Sequence, residues 1–113
     1  MIEVRSAFKF WLETDKGYVF GKGPFNILTK ISEIGTLTGA AEELGMSYRY
    51  AWGLVKEAEN NVGIPLLKTH KGGKHGGGGA VLTEEAQALL RKYEMVEKAF
   101  LDFAEKLNAK LLK

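Results

Sequence analysis

The stretch KGGKHGGGGAVLT, residues 71–83, concentrates the side chains whose types and spacing could do chemistry. Six of its first nine residues are glycine, and the other three are Lys71, Lys74 and His75. Glycine loses more conformational freedom on ordering than any other residue, so such a run adds nothing to stability. Four chemistries could account for it: a phosphate cradle, a metal loop, a linker, or a loop that lies against a nucleic acid. A phosphate-binding P-loop needs Gly-x-x-x-x-Gly-Lys-Ser/Thr between a strand and a helix. Here Gly73 and Lys74 supply the Gly-Lys pair, but His75 takes the Ser/Thr place and Lys68 the first glycine's, so that reading fails. His70 and His75 are the only histidines, with no carboxylate nearby, and two ligands do not make a tetrahedral site. No metal and no cofactor are expected.

Catalysis finds no foothold elsewhere. Neither a Gly-x-Ser-x-Gly nor a His-Glu-x-x-His motif occurs. The carboxylate pairs Glu42–Glu43 and Glu84–Glu85 are adjacent on helical segments, so the members of each pair face different directions. With no general base paired to a nucleophile, the chain is read as a non-enzyme. The absence of cysteine excludes disulfides, thiolate metal sites and cysteine nucleophiles.

Charge is more informative by position than in sum. The formal net charge is +2, but residues 1–46 carry −1, residues 47–75 carry +3 and residues 76–113 balance. The window 47–75 holds Arg49, Lys56, Lys68, Lys71 and Lys74 against Glu57 and Glu59, an electrostatic footprint for a polyanion. The 113 residues, 45% hydrophobic, suit one domain with a real core. No signal segment and no membrane-length apolar run is visible, so the expectation is a soluble, cytoplasmic protein without a membrane partner.

The elements that must position these residues follow from periodicity. Residues 2–12 alternate, with Ile2, Val4, Phe8, Phe10 and Leu12 on one side, which predicts a half-buried strand. Thr14 to Gly17 make a turn and YVFG a return strand, giving an N-terminal β-hairpin over 1–22. Pro24 opens a helix ending at Ile34 before Gly35, with Ile27, Leu28 and Ile31 at helical spacing. Leu37 to Leu44 form a short second helix that Gly45 stops. Ser47 caps a third helix, 47–62, with Tyr48, Ala51, Trp52, Val55, Ala58 and Val62 as its apolar stripe. LLKTH and AVL flank the glycine run as a second hairpin. From Thr83 a helix of about 28 residues, roughly 42 Å long, runs over 83–112. Its residues Leu89, Tyr93, Val96, Phe100, Phe103 and Leu107 continue a heptad-like seam suited to dimerisation. Trp11 and the aromatic pair Phe8 and Phe10 either extend that contact or cover the domain's own core.

LTGAAEELGMSYRYAWGLV has the layout of a helix-turn-helix. Ala40 and Ala41 allow close approach, and Leu44, Met46, Ala51 and Val55 or Leu54 fill the space between the helices. The second helix then exposes Ser47, Arg49, Tyr50, Gly53, Lys56 and Glu57, and its N-terminus suits the major groove of double-stranded DNA. Arg49 fits a bidentate guanine contact, Ser47 and Tyr50 phosphate or base contacts, and Gly53 a close approach of the DNA backbone. Tyr48 either joins this face or lies in the core. A recognition helix followed by a hairpin with a basic tip is the order of a winged helix-turn-helix. In that setting residues 71–79 form a wing, with Lys71, Lys74 and His75 set against the sugar-phosphate backbone or in the minor groove.

On these two motifs, SYRYAW within its helix-turn-helix and the glycine run followed by AVLT, the chain resembles the N-terminal DNA-binding domain of ModE-type regulators. These molybdate-responsive transcription factors are themselves LysR-like in this domain. The resemblance covers roughly Phe25 to Leu90. It implies a homodimer on a palindromic operator, with Ser47, Tyr48, Arg49, Tyr50 and Lys74 at the DNA. ModE proteins continue into an oxyanion-binding module, whereas this sequence stops at Lys113. The expectation is therefore a stand-alone regulator or one whose effector is sensed by a separate chain. The expected fold is α+β and mainly helical: a single domain over 1–113, with the N-terminal hairpin, the helix-turn-helix and wing over 24–82, and a long C-terminal dimerisation helix. The alternatives are a protein-interaction module and a non-specific architectural DNA-binding protein.

Overall fold

Hairpins at two places and helices everywhere else follow from where the chain changes its hydrophobic period. The computed structural model describes residues 2–70 and 79–112. In order these form β1 (Leu12–Thr14), β2 (Gly17–Phe20), α1 (Lys22–Ile34), α2 (Leu37–Glu43), α3 (Tyr48–Val62), β3 (Leu67–His70), β4 (Gly79–Leu82) and α4 (Glu84–Leu111). The α+β, mainly helical winged helix-turn-helix architecture expected from the sequence is what the chain adopts.

Three helices start on hydroxyl caps, which satisfy amide donors that a helix N-terminus otherwise leaves unpaired. Thr36 accepts from the Gly39 amide, Ser47 from Tyr50 and Thr83 from Ala86. In α4, Glu84 and Glu85 lie in the first turn and Lys110 in the last, matching the macrodipole. One apolar cluster joins β2, α1, α2, α3, the root of the second hairpin and α4, with Phe20, Ile27, Leu28, Ile31, Val55, Leu66 and Tyr93 at its centre. Tyr93 is the hub of its aromatic part. The ring stacks on Phe25 at 4.3 Å and Phe10 at 4.6 Å, and meets Phe20 edge-on at 5.9 Å. Burial, and then the charge of Glu97, push its phenol pKa up.

The N-terminal strand is much shorter than its alternation suggests. Only Leu12–Thr14 pair, antiparallel to Gly17–Phe20, with a register shift between Leu12 and Glu13. The physical reason lies in the partner strand. Leu12 faces Phe20, and two residues later the chain has entered α1, so residues before Leu12 have no strand to join. They run along α4 instead. Asn108 accepts from the Ser6 amide at 2.6 Å and its hydroxyl at 2.7 Å, and donates back to the Ser6 carbonyl at 3.3 Å. Phe8 and Phe10 each lie 5.5 Å from Phe100. Ser6, the exception to the apolar alternation, is therefore the residue that anchors this arm. Ile2, Val4 and Phe8 remain exposed rather than half-buried.

The heptad-like seam of α4 also divides. Tyr93, expected on a dimer-facing seam, is 2% exposed and belongs to the chain's own core, because α1, β2 and the arm close over it. Leu89 packs against the same core, and Leu90 is buried beside it. Beyond them Val96 is half-buried, while Phe100, Phe103 and Leu107 are exposed. The radius of gyration is 17.2 Å, against about 13 Å for a compact chain of this length, since the far half of α4 extends from the body.

Thr83 does more than cap α4. Its hydroxyl also donates to the Pro65 carbonyl at 2.9 Å, and its amide to the Leu66 carbonyl at 3.1 Å. Replacing Thr83 with Val removes the cap and leaves buried polar groups unpaired. Urea unfolding should show a loss of roughly 1–3 kcal/mol, while Thr83→Ser should keep most of the stability.

Candidate nucleic-acid interface

The interface is built from the turn between α2 and α3. Ala40 and Ala41 on α2 and Ala51 on α3 are buried, and their small side chains let the helix axes approach closely. Leu44, Met46 and Leu54 pack around that contact. Gly45 leaves α2 at φ +69°, a left-handed conformation that favours glycine. The Gly45 amide then donates to Glu42 and the Met46 amide to Ala41, which closes the turn. Ser47 caps α3 at 3.1 Å from the Tyr50 amide. Its oxygen accepts that bond, so its hydroxyl proton remains available to an incoming acceptor.

Ala51, Val55 and Ala58 face the core, and the opposite face of α3 is turned outward. Ser47, Arg49, Tyr50, Gly53, Lys56 and Glu57 are all exposed there, and Tyr48, on the side of Ala51, is exposed as well. Tyr48 is 54% exposed and Trp52 38%, so neither joins the buried stripe that the helical spacing suggested for them. With Tyr50 at 60%, three aromatic rings of the first half of α3 are exposed. A Cβ added at Gly53 would meet no atom within 4 Å, so the gap left by its missing side chain opens to solvent. Tyr18 of β2 flanks α3. Its phenol pKa is raised by burial and then by the charge of Glu57.

Lys56 is less available than its position suggests. Its ammonium lies 3.0 Å from a Glu59 oxygen and 4.4 Å from the centroid of the Trp52 ring. The other Glu59 oxygen accepts from the amides of Leu66 at 2.8 Å and Leu67 at 3.3 Å. Composition alone counts Glu59 only as a charge against the basic window. The available signal was its place four residues before Gly63, where a helix ends and strand amides need an acceptor.

The second hairpin follows α3 and packs through β4 against α1 and α4, as two antiparallel strands in the register Leu67↔Leu82, Lys68↔Val81, Thr69↔Ala80 and His70↔Gly79. The His70 imidazole lies where a Cβ on Gly79 would fall, so a larger residue there would have to displace that exposed ring. The Ala80 amide donates to the Gly35 carbonyl at 2.8 Å and ties β4 to the end of α1. Lys71, Lys74 and His75 lie outside the described residues. Among the described residues no cluster of three or more His, Cys, Asp or Glu could hold a metal ion, and no helix is long and apolar enough to cross a membrane.

A short helix, a glycine turn, an outward-facing second helix and an adjoining two-stranded wing define a winged helix-turn-helix domain. Residues 25–87 match the family described as bacterial regulatory helix-turn-helix proteins of the lysR family, and the chain belongs to it. Its ModE-type character is borne out by the relatives. It is 36% identical over 86 residues to the molybdenum-pterin-binding protein MopB of Rhodobacter capsulatus, covering 73% of this chain and 32% of MopB. Identity to the DNA-binding transcriptional dual regulator ModE of Escherichia coli is 35% over 79 residues, 66% of this chain and 30% of ModE. The molybdenum transport protein ModE of Azotobacter vinelandii is 26% identical over 98% of this chain and 41% of its own length. The chain thus spans about a third of the length of the first two relatives. A solved structure of Lactococcus lactis ZitR shares the fold, with a TM-score of 0.59 and 20% identity over 88% of this chain and 66% of that one.

Burial alone would raise the Glu59 pKa, but the Leu66 amide, Lys56 and the Leu67 amide more than offset it, so the pKa falls below its usual 4.5. A carboxyl lowered on folding adds stability above the unfolded value, and this is lost as pH falls through the folded value. Glu59→Gln should therefore lose less stability than the parent chain between about pH 5 and pH 3, read from urea midpoints across that range.

Proposed function

We propose that this domain binds double-stranded DNA sequence-selectively as the DNA-reading part of a dimeric transcriptional regulator. The observation that carries the reading is the outward face of α3. Arg49, Ser47 and Tyr50 sit exposed at the helix's N-terminal end, near a solvent-open Gly53. A helix presented by its N-terminus suits the major groove, where Arg49 can read guanine through two parallel hydrogen bonds. Tyr48 and Tyr50 suit phosphate contacts or the apolar face of thymine. Lys71, Lys74 and His75 are assigned to the backbone or minor groove through the wing. Lys56 serves better as a local partner of Glu59 and Trp52 than as a phosphate contact.

The partner protomer is assigned to the far half of α4. The chain exposes 8353 Å², roughly 2,000 Å² more than a compact monomer of its mass. That excess matches what one protomer contributes to an obligate homodimer. Phe100, Phe103 and Leu107 on α4, with Phe8 from the arm, supply apolar surface there. A two-fold dimer would set two copies of α3 about 34 Å apart, one turn of DNA. The relatives' names support regulation of molybdenum-related genes as the setting, on DNA in the cytoplasm.

Binding to genomic fragments at two salt concentrations tests the reading. Affinity should fall steeply with salt, and Arg49→Ala should cost roughly 1–3 kcal/mol on the selected sequence while relaxing selectivity at one base pair. Salt-sensitive binding indifferent to sequence and to Arg49 would instead indicate an architectural protein, and no binding at low salt would move the search to protein partners. In sedimentation, Phe103→Glu combined with Leu107→Glu should give monomers that lose preference for palindromic over single half-sites.

A further inference from the structure

The arm before Leu12 is extended, and only one of its edges is used. From Ser6, held by Asn108, to Phe10, stacked on Tyr93, its contacts move about 22 Å along α4. Four residues reach at most about 14 Å, so the backbone is drawn out and side chains supply the rest. In an extended chain the amide and carbonyl of one residue point to one edge, and those of the next residue to the other. The Asn108 side chain takes both backbone groups of Ser6, which fills the edge of the even-numbered residues at its centre. The opposite edge carries the amides and carbonyls of Glu3, Arg5, Ala7 and Lys9. These residues are exposed, and their backbone groups make no hydrogen bond among the described residues. An extended segment with an open edge is a template for another strand.

The order of side chains fits that strand to be a second copy of the arm. Set antiparallel about Ser6, the arm pairs Val4 with the partner's Phe8, Ile2 with the partner's Phe10 and Glu3 with the partner's Lys9. Apolar residues then meet apolar ones on one face, and opposite charges meet on the other. Sliding by two residues sets Arg5 against the partner's Arg5 or the partner's Lys9, and sliding by one turns an apolar face against a polar one. In the Ser6-centred register Ser6 needs no ladder bond, because Asn108 already holds it. Arg5 with the partner's Ala7, and Glu3 with the partner's Lys9, exchange bonds across the open edges. Phe8 lies 5.5 Å from Phe100, and Asn108 adjoins Leu107, so one two-fold axis can serve this pairing and the α4 surface assigned above. We propose that two protomers join their arms as an antiparallel, Ser6-centred β-ribbon laid along the paired α4 helices. This rests on the dimer reading above and names a segment that completes it. Ile2, Val4 and Phe8, exposed in the single chain, gain apolar partners in the ribbon.

Charge reversal on the full chain tests this by sedimentation. Glu3→Lys sets lysine against the partner's Lys9 at both ends of the ribbon, and Lys9→Glu sets glutamate against the partner's Glu3. Each variant alone should dimerise about tenfold more weakly than the parent, as two favourable cross-strand pairs become repulsive. An equal mixture of the two should recover parent-like association as a heterodimer, since every pair is then again lysine with glutamate. Both substitutions lie at exposed positions, so folding is not at stake. Disulfide trapping fixes the register, and the absence of native cysteine keeps it clean. Val4 and the partner's Phe8 form a pair without ladder bonds, with Cα atoms about 4.5 Å apart, within disulfide reach. Oxidising a mixture of Val4→Cys and Phe8→Cys chains should therefore give the mixed disulfide dimer. Neither variant should cross-link alone, because the two copies of either position are roughly 13 Å apart along the ribbon.

Parent-like dimers from Glu3→Lys or Lys9→Glu alone would overturn the proposal, as would a mixture no tighter than its components. Cross-linking of Val4→Cys to itself in place of the mixed product would show a different register and overturn it too. If the parent dimer is broken by Phe103→Glu with Leu107→Glu yet indifferent to every arm variant, the α4 contact stands and the ribbon falls. If the parent chain sediments as a monomer, the dimer reading itself fails and takes this inference with it.

Discussion

Close approach of α2 and α3 is the constraint on which the rest of the molecule depends. Ala40, Ala41 and Ala51 meet with no side chain longer than a methyl group between them, and Gly45 turns the chain within two residues. A larger residue at any of these positions would push α3 outward. Every side chain on its outer face would move with it, because a helix shifts as a rigid rod. The outward set is therefore defined from within. Burial of Ala51, Val55 and Ala58 leaves Arg49, Tyr50 and Gly53 nowhere to point but away from the body.

What could be read from the sequence was whatever depends on local chemistry. Hydroxyl caps at Ser47 and Thr83, the glycine stop at Gly45 and the 3.6-residue period set helix ends to within a residue or two, since each acts over one turn. Periodicity could not say what lies opposite a face. The alternation of residues 2–12 is real, but before Leu12 its partner is α4 rather than a strand, as the Ser6–Asn108 pairing and the packing of Phe8 and Phe10 on Phe100 reveal. Tyr48 and Trp52 fit the apolar stripe of α3 by spacing and are exposed nonetheless, since the buried part of that stripe is confined to Ala51, Val55 and Ala58. Tyr93 shows the converse: a seam position by count, yet closed over by Phe10, Phe20 and Phe25 from three separate parts of the chain. Glu59 escaped notice because its partners are backbone amides, which carry no residue-type signature.

The long helix combines two environments in one element. Its first three turns complete the domain's core through Ala86, Leu90 and Tyr93. Past Tyr93, no residue of the helix is buried, and the arm from Ser6 to Phe10 lies along it. An extended arm held by one amide side chain and a few rings leaves most of its apolar atoms exposed. The arm and the distal helix thus form a surface whose hydrophobic content exceeds what the monomer itself uses.

The His70–Gly79 pair closes the wing's ladder, and everything below it is fixed by β3, β4 and their ties to α1, α3 and α4. Residues 71–78 connect two chain ends that already stand side by side. Their length and composition can therefore drift without disturbing the packed body. A lineage could retune the tip by insertion, deletion or recharging while keeping one scaffold, much as an antibody framework carries interchangeable loops.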